Sequence, residues 1–216
     1  MREINTIIFD FDGVIAESVD IKTEAFASLF KDYPEKIGEV LKIHLSHGGL
    51  SRYVKFDMIY DQILHIPLTE EKKKELGETF SEYVYKRVIE CPLVKGAAEF
   101  LEKYYQKKDL YIVSGTPEEE IRKIVRERGL DKYFKKVYGA PRKKAELAAK
   151  ILADNKNRRG DAVFVGDSLE DWEGADKAGI RFIGRVKETN PFEGKRYEAI
   201  IRDLSGLEKL INEKKI

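Results

Sequence analysis

The sequence predicts an α/β protein that combines a parallel sheet, helices on both faces of that sheet and an all-helical insert. Strand-like and helix-like patterns alternate from about residue 97 to the end of the chain, as in a parallel sheet covered by helices. Residues 4–13 contain an earlier apolar, β-branched run that is typical of a buried strand. Between these regions, residues 17–88 show only helical periodicity, which indicates an insertion.

Two carboxylates mark the end of the first strand. Asp10 and Asp12 are separated by one residue, and alternate side chains of a strand share a face, so we expect both to project from the strand tip. Ligands of open parallel sheets bind at this edge. Like charges held so close are tolerated when a cation lies between them or when one acid stays protonated. The alternative is a solvated turn, since Asp and Gly are ordinary turn residues.

The helical insert is expected to contain several helices, each with an apolar stripe. Ser18 is the expected cap of the first helix and Thr69 of the last, while Pro34 and Pro67 mark breaks between helices. The stripes are Ile21, Ala25, Phe26, Leu29 and Phe30; Ile37, Val40, Leu41 and His44; Tyr53, Phe56, Tyr60, Ile63 and Leu64; and Leu76, Phe80, Tyr83 and Val84.

This insert predicts two domains. Residues 17–91 are expected to form a helical cap domain, and residues 1–16 and 92–216 the core domain. The linkers between the two are expected near residues 16–19 and 88–95.

The second half supplies the rest of the predicted sheet. Thr116, Pro117 and Glu119 predict a helix start, as the cap, the first helical residue and the partner in a capping box, and Gly129 predicts the end of that helix. The predicted strands are 110–113, 137–139, 162–165, 181–184 and 199–201; further helices are expected at 97–106, from about 144, from about 169 to Gly179, and from about 205.

Composition limits the class of protein. A chain of 216 residues can hold one large core and a smaller insert. The formal net charge of +1 gives no reason to expect nucleic acid or a membrane surface as partner, and no apolar run approaches the roughly 18 residues that span a bilayer. Cys91 is the single cysteine, which suits a packing role in a reducing cytoplasm. The first strand starts so early that we expect no signal peptide, and monomer and homodimer both stay open.

Four strand ends carry groups that suit one reaction. Right-handed crossovers bring the carboxyl ends of parallel strands to one edge, where these groups would meet. Carboxylates suit Mg²⁺, a hydroxyl with backbone amides at a helix start suits a phosphoryl group, and a lysine neutralises charge. Together they indicate phosphoryl transfer through an aspartyl-phosphate. The groups are Asp10 and Asp12; Ser114, Gly115 and Thr116; Lys144 or Lys143; and Asp167 and Asp171.

The order of these motifs resembles that of the haloacid dehalogenase (HAD) superfamily. Residues 10–15 resemble its first motif, 113–116 its second, 142–144 its third and 166–171 its fourth. The helical insert lies where the family carries its smaller type of cap, so the resemblance covers essentially the whole chain. It implies a Rossmann-like parallel-sheet core, an all-helical cap and Mg²⁺ as cofactor.

By this resemblance, Asp10 is the expected nucleophile and Asp12 the expected general acid/base. The main-chain carbonyl of Asp12 is also an expected ligand of Mg²⁺. Asp10 and Asp167 are expected to ligate the same ion, and Asp171 to support it directly or through water.

The resemblance also assigns the phosphoryl-binding groups. Ser114 is expected to bind the phosphoryl group, with Gly115 and Thr116 beside it, and a lysine of the third motif to steady the nucleophile. We favour Lys144 over Lys143, because Lys144 starts the apolar stripe of the following helix.

The chain departs from the family at one position of the first motif. The family usually has an Asp before the Ser, whereas this chain has Glu17-Ser18, a difference that we expect to affect substrate fit more than chemistry. In the fourth motif, we expect Ser168 to cap the next helix and Glu170 to be a solvated neighbour. Trp172 is expected to pack against the sheet.

The cap is expected to select the substrate. Arg52 and Lys55 would grip a second anionic group on a small phosphorylated metabolite. The alternatives are a core role for His44 and a solvated helix surface for Arg52 and Lys55. The corner that carries these residues comprises His44, His47, Gly48, Gly49, Arg52 and Lys55, and its glycines would let backbone approach a ligand closely.

The predicted function is that of a magnesium-dependent phosphatase for phosphoglycolate or a sugar phosphate. A sugar phosphomutase of the β-phosphoglucomutase type is the alternative on the same scaffold. Haloacid-cleaving and phosphonate-cleaving branches of the family lack the second carboxylate of the first motif, so Asp12 disfavours both. A phospho-acceptor switch and a protein-binding module are the non-enzyme alternatives. The helical cap argues against the first and the intact acids of all four motifs against the second.

Overall fold

A computed structural model of the chain describes residues 4–155 and 159–212. It contains one six-stranded parallel sheet in the order β3-β2-β1-β4-β5-β6. The strands are β1 Thr6–Phe9, β2 Asp109–Pro117, β3 Lys136–Ala140, β4 Ala162–Gly166, β5 Arg181–Arg185 and β6 Ala199–Ile201. The predicted α/β class is therefore confirmed.

The helices of the insert and of the core follow the predicted order. Four helices lie between β1 and β2 in the stretch predicted to be helical, and a π-helical turn extends the third of them. The division into two domains at residues 17 and 91 stays a prediction. The helices are α1 Val19–Leu29, α2 Ile37–Ser46, α3 Arg52–Ile59, α4 Glu70–Glu90, α5 Ala97–Tyr104, α6 Glu118–Glu127, α7 Lys144–Asp154, α8 Leu169–Ala178 and α9 Leu207–Asn212.

The strand order places the carboxyl end of β1 at the centre of one sheet edge. Phe9, the last residue of β1, stands opposite Ile112 of β2 on one side and Val165 of β4 on the other. The chain continues outward to β3 on the first side and to β5 and β6 on the second. Such a reversal of strand order opens a crevice at the carboxyl ends of the strands, where ligands of this fold class bind.

The alternation of side chains along β1 builds both faces of the core. Ile7 and Phe9 pack into the apolar cluster that includes α5, α6 and α9, whereas Ile8 packs into the cluster with α7 and α8. The ring of Phe9 meets that of Phe100 edge-on at 5.9 Å between centroids. In the helical insert, the rings of Phe26, Phe56 and Phe80 lie in mutual contact and are fully buried.

At two predicted helix caps, the hydroxyl does not accept a hydrogen bond from the helix. Ser18 occupies the predicted N-cap position of α1, but its hydroxyl donates to Oδ1 of Asp12 at 2.6 Å instead of accepting from the helix. Thr116 lies inside β2, and α6 begins two residues later with Pro117 at the cap position. Both hydroxyls bind Asp12, so the tertiary contact outcompetes the local one.

The other predicted helix signals are confirmed. Thr69 accepts a hydrogen bond from the N–H of Lys72 at 3.2 Å, and Gly129 and Gly179 end their helices in the left-handed region. Within residues 4–155 and 159–212, no helix has both the length and the apolar character that crossing a bilayer requires.

Candidate active site

A buried lysine joins two of the predicted carboxylates. The ammonium of Lys144, at the start of α7, donates to Oδ2 of Asp10 at 2.9 Å and to Oδ1 of Asp171 at 2.6 Å. All three side chains are buried. Lys143, the adjacent candidate, is exposed, so Lys144 is the lysine that the fold brings to the first and fourth motifs.

Three carboxylates form a compact acidic cluster around this lysine. Asp10, Asp167 and Asp171 each offer an oxygen within 4.8 Å of the others. Burial, and next the charge of Asp171, raises the pKa of Asp10 to about 7. Burial and the charge of Asp10 likewise raise the pKa of Asp167 well above its usual range. Burial opposes the charge on Lys144, but its two carboxylate partners raise its pKa.

The donor set of this cluster fits Mg²⁺. The cluster holds three acids, and Lys144 pairs with two of them, so it carries an excess of negative charge when its acids are ionised, and all of its ligand atoms are hard oxygens. Asp171 is held in place by its own helix start, since its Oδ2 accepts from the Ser168 hydroxyl at 2.6 Å and from the Asp167 N–H at 3.2 Å. The predicted cap role of Ser168 is thereby confirmed.

Gly13 packs the loop after β1 against the cluster. Its φ of +75° lies in the left-handed region, and a Cβ there would come within 1.9 Å of Oδ2 of Asp167. Only glycine fits both the conformation and the close approach.

Asp12 is not part of the acidic cluster and is held by one ammonium and two hydroxyls. Its carboxylate accepts from Ser18 at 2.6 Å, from Thr116 at 3.2 Å and from the ammonium of Lys22. Burial alone would raise the pKa of Asp12, but the charge and hydrogen bond of Lys22, with the two hydroxyls, hold it below its usual value. The Asp12 side chain therefore lies outside the three-carboxylate cluster. The expected role of its main-chain carbonyl stays a prediction.

Lys22 is a site residue that the sequence analysis missed. It lies on α1, and its ammonium also donates to the Thr116 hydroxyl at 2.8 Å. The available signal was weak: Lys22 stands one helical turn after Ser18 and so shares its face.

The predicted phosphoryl-binding segment forms one wall of a cavity. Gly115 and Thr116 line it, and the buried Ser114 accepts a hydrogen bond from the Thr116 N–H at 3.1 Å. A Cβ on Gly115 would lie 2.6 Å from the carbonyl oxygen of Gly49, so the helical insert touches this segment directly. The segment belongs to β2, and the helix start predicted there lies further along the chain.

Lys55 also lines this cavity and is a buried cation. Its ammonium lies 3.2 Å from Nδ1 of His44 and 3.4 Å from the carbonyl oxygen of Gly48. Across the described part of the chain, no carboxylate pairs with it, and burial followed by the charge of Lys22 lowers its pKa to about 7. Burial and Lys55 lower the pKa of His44 to about 2, so this imidazole is neutral.

His44 combines a packing role with a place at the cavity. Its ring stacks on Phe26 at 4.4 Å between centroids, as expected for a core histidine, yet it also lines the cavity. Its Nε2 lies 3.1 Å from the Thr23 hydroxyl.

Arg52 also lines the cavity but already has an acidic partner. Its guanidinium pairs with Glu120 of α6, donates to the Ser81 hydroxyl at 2.6 Å and lies over the ring of Phe80. The interpretation of Arg52 and Lys55 as solvated helix surface is therefore wrong, because both are buried.

Glu170 connects the fourth motif to the helical insert. Its carboxylate accepts from the Gly49 N–H at 3.3 Å and lies 3.3 Å from Nδ1 of His47. The expectation of a solvated neighbour is wrong, and no local signal could have revealed a contact across 121 residues. Trp172 packs against the second apolar cluster, as expected, and Cys91 is a partly buried free thiol.

Comparison with known proteins agrees with this geometry. The sequence profile of a family described as haloacid dehalogenase-like hydrolase matches residues 7–185. Phosphoglycolate phosphatase 1 of Pseudomonas aeruginosa is 24% identical over 182 residues, a match that covers 81% of this chain and 66% of that relative. The chain thus spans slightly less than two thirds of that relative's length.

Solved structures share the fold over nearly the full length. A hydrolase from Pseudomonas syringae has a TM-score of 0.80 at 17% identity, with 97% of this chain and 99% of that chain covered. YfnB from Bacillus subtilis, solved bound to magnesium, has a TM-score of 0.74 at 19% identity, with 98% of this chain and 100% of that chain covered. At such identities, the likeness shows the fold alone.

Proposed function

Because the chain belongs to the haloacid dehalogenase-like hydrolase family, we propose that it is a magnesium-dependent phosphatase of a small phosphorylated metabolite. The observation that carries this proposal is the buried Lys144, which bonds both Asp10 and Asp171 within a cluster of three carboxylates. Asp10, Asp167 and Asp171 are the side chains that would hold the ion. When bound, Mg²⁺ supplies charge neutralisation for the carboxylates and for the phosphoryl oxygens.

The proposed reaction has two displacements. A carboxylate oxygen of Asp10 attacks phosphorus, the bond from phosphorus to the ester oxygen breaks, and Asp12 gives a proton to the departing alkoxide. Asp12 then takes a proton from the water that attacks the aspartyl-phosphate, which releases inorganic phosphate and returns the Asp10 carboxylate. Lys144 stabilises the charge of Asp10 throughout.

Asp10 must be deprotonated and Asp12 must be protonated before this reaction can start. Asp10 has to be ionised although burial raises its pKa to about 7, and added positive charge in the cluster would lower that pKa. Asp12 has to be protonated although Lys22 holds its pKa low. An anionic group in the cavity would draw the Lys22 ammonium away, and burial would then raise the pKa of Asp12. We therefore include Lys22 in the proposed catalytic set.

The cavity favours a substrate with a second anionic group. Lys55 is a buried ammonium without a carboxylate partner among the described residues, whereas Glu120 neutralises Arg52. A carboxylate of the substrate would supply the missing counter-charge. Phosphoglycolate carries such a carboxylate, and one relative is named a phosphoglycolate phosphatase. We propose Lys55 as the main contact to this group, with Arg52 behind it.

The test is phosphate release from a panel of small esters, with and without Mg²⁺. Asp10→Asn and Asp12→Asn are the test variants, and Asp20→Asn is the matched control because that carboxylate is exposed and its ion pair among the described residues is with the exposed Lys187. We expect turnover that needs Mg²⁺, is abolished by Asp10→Asn, falls steeply in Asp12→Asn and is kept in Asp20→Asn.

Two outcomes would contradict the proposal. Turnover that survives Asp10→Asn would exclude an aspartyl-phosphate on this residue. Absence of phosphate release, together with interconversion of sugar phosphates in the presence of a bisphosphate, would identify a phosphomutase instead.

A further inference from the structure

A buried arginine outside the cavity holds the loop that follows β1. Arg185 is the last residue of β5, is 7% exposed, and reaches across the sheet edge to this loop. Its Nη1 donates to the carbonyl oxygen of Gly13 at 2.7 Å. Its Nη2 donates to Oε1 of Glu17 at 2.6 Å, and Nη1 also donates to Oε2 of Glu17 at 3.2 Å. Nε completes the set by donating to the carbonyl oxygen of Arg202 at 3.0 Å.

These contacts give a fixed geometry. The planar guanidinium binds the Glu17 carboxylate through two nitrogen atoms, a pairing that a lysine ammonium cannot reproduce. Burying such a charge is costly unless it is paired and fully hydrogen-bonded, and here four donor contacts satisfy it. No acidic residue of the proposed metal cluster is among its partners in the described chain.

The held peptide lies against the proposed metal site. Gly13 approaches Asp167 so closely that a Cβ would stand 1.9 Å from Oδ2, and it directly follows Asp12. A shift of the Gly13 backbone by a few tenths of an ångström would therefore move either Asp167 or the peptide of Asp12.

Glu17, the other partner of Arg185, lies where the loop enters the helical insert. The N–H of Glu17 donates to the carbonyl oxygen of Pro92 at 3.0 Å, so Glu17 connects the segment that enters the helical insert with the segment that leaves it. Glu17 is also the position at which the first motif departs from the family, which usually has the shorter Asp there. The longer side chain spans the distance to Arg185.

We propose that Arg185 and Glu17 form a clamp that positions Gly13, and through it Asp12 and Asp167, for metal binding and catalysis. Arg185 is a positioning residue, since it touches neither the cavity nor the acidic cluster. The clamp deepens the proposed phosphatase function and rests on it for its catalytic part only.

The test measures Mg²⁺ binding by calorimetry without substrate, beside the kinetics. We expect Arg185→Met to weaken Mg²⁺ binding about tenfold, in line with the usual effect of residues that orient metal ligands. Its kcat should fall while KM stays unchanged, because the cavity cations are untouched. Arg185→Lys keeps the charge but loses the paired geometry, so it should fall between the wild type and Arg185→Met.

Two further variants separate this clamp from a general loss of stability. Arg87→Met removes an exposed pair with Glu24 and should leave Mg²⁺ binding unchanged. Glu17→Gln alters only a partly exposed carboxylate, so it tests the clamp even if Arg185→Met does not fold. The double variant should bind Mg²⁺ no more weakly than the worse single one, because both changes break the same contact.

Unchanged Mg²⁺ affinity in folded Arg185→Met or in Glu17→Gln would overturn the clamp, as would additive losses in the double variant. Failure of the proposed phosphatase function would give a different experimental result. A wild-type protein that binds Mg²⁺ but hydrolyses no ester contradicts the phosphatase, while the variants' Mg²⁺ affinities still decide the clamp.

Discussion

The cavity contains three cations that differ in how their charge is balanced. Lys22 has Asp12 and Arg52 has Glu120, whereas Lys55 contacts only uncharged partners within the described residues. A buried ammonium in such surroundings is costly for the free protein. This cost is the physical basis for proposing an anionic group of the substrate as the partner of Lys55.

At the scale of single residues, the Lys55→Met substitution tests whether Lys55 selects the substrate. We expect KM for an ester with a carboxylate, such as phosphoglycolate, to rise about tenfold, the order expected for one lost charge-assisted hydrogen bond. KM for an ester without a second anionic group should change little. Lys42→Met, an exposed lysine on α2, is the control and should change neither KM. Equal effects of Lys55→Met on both esters would contradict the assignment.

The pH dependence of the same residue gives a separate test. Burial lowers the pKa of Lys55 to about 7, so its ammonium loses its proton progressively as pH rises through that value. The ratio of kcat/KM for phosphoglycolate to that for the ester without a second anionic group should therefore fall as pH rises through about 7. This fall should disappear in Lys55→Met, and its persistence there would assign the titration to another group.

At the scale of elements, tight turns decide where the side chains meet. The loop between β1 and α1 turns at Gly13 in the left-handed region, and the turn after α6 does so at Gly129. A Cβ at Gly13 would collide with Asp167 and Val19, whereas a Cβ at Gly129 would have nothing within 4 Å. The left-handed backbone at Gly13 therefore permits close packing against Asp167, whereas the same conformation at Gly129 only ends a helix.

The two glycines therefore form a matched pair of substitutions. Gly129→Ala should lose about 1 kcal/mol of stability from the left-handed backbone and keep full activity. Gly13→Ala should carry that loss and displace Asp167 as well, which should lower kcat by about 100-fold. Thermal unfolding and kinetics of both variants check this expectation. Equal activities in the two would show that the Gly13 contact does not shape the site.

At the scale of the molecule, polar contacts fasten the helical insert over the sheet edge. Glu170 of α8 meets Gly49 and His47, and Arg52 of α3 meets Glu120 of α6. Arg128, which follows α6, donates to main-chain carbonyls at the end of α4, including that of Cys91 at 2.8 Å. The first two contacts lie next to the cavity, so they are suited to hold the cap over a bound substrate.

Glu170→Ala tests this closure. Loss of its hydrogen bonds should raise KM roughly 3- to 10-fold, with a smaller effect on kcat. Small-angle X-ray scattering should show a more extended average shape. Glu173→Ala, on the same helix with an exposed partner in Lys177, should leave both properties unchanged. Identical results for the two variants would mean that Glu170 does not hold the cap.

The amino-acid sequence alone determined the succession of strands and helices along the chain and which acids lie at the site. A buried strand needs a continuous apolar run, and residues that follow parallel strands must meet at one edge, so Asp10, Ser114, Lys144 and Asp167 were predictable without coordinates. The helix ends with glycine at the left-handed position were predictable for the same reason, since their cause lies within a few residues.

Only the tertiary structure decided which polar groups pair. Ser18 and Thr116 have the residue types of helix caps, yet their hydroxyls bind Asp12, because a buried carboxylate must be satisfied by whatever donors the fold brings near it. Lys22, Glu170 and Arg185 find partners from 10 to 172 residues away. Hydrophobic periodicity reports which face of an element is buried, but the partner of a charge depends on the packing of elements distant in the chain.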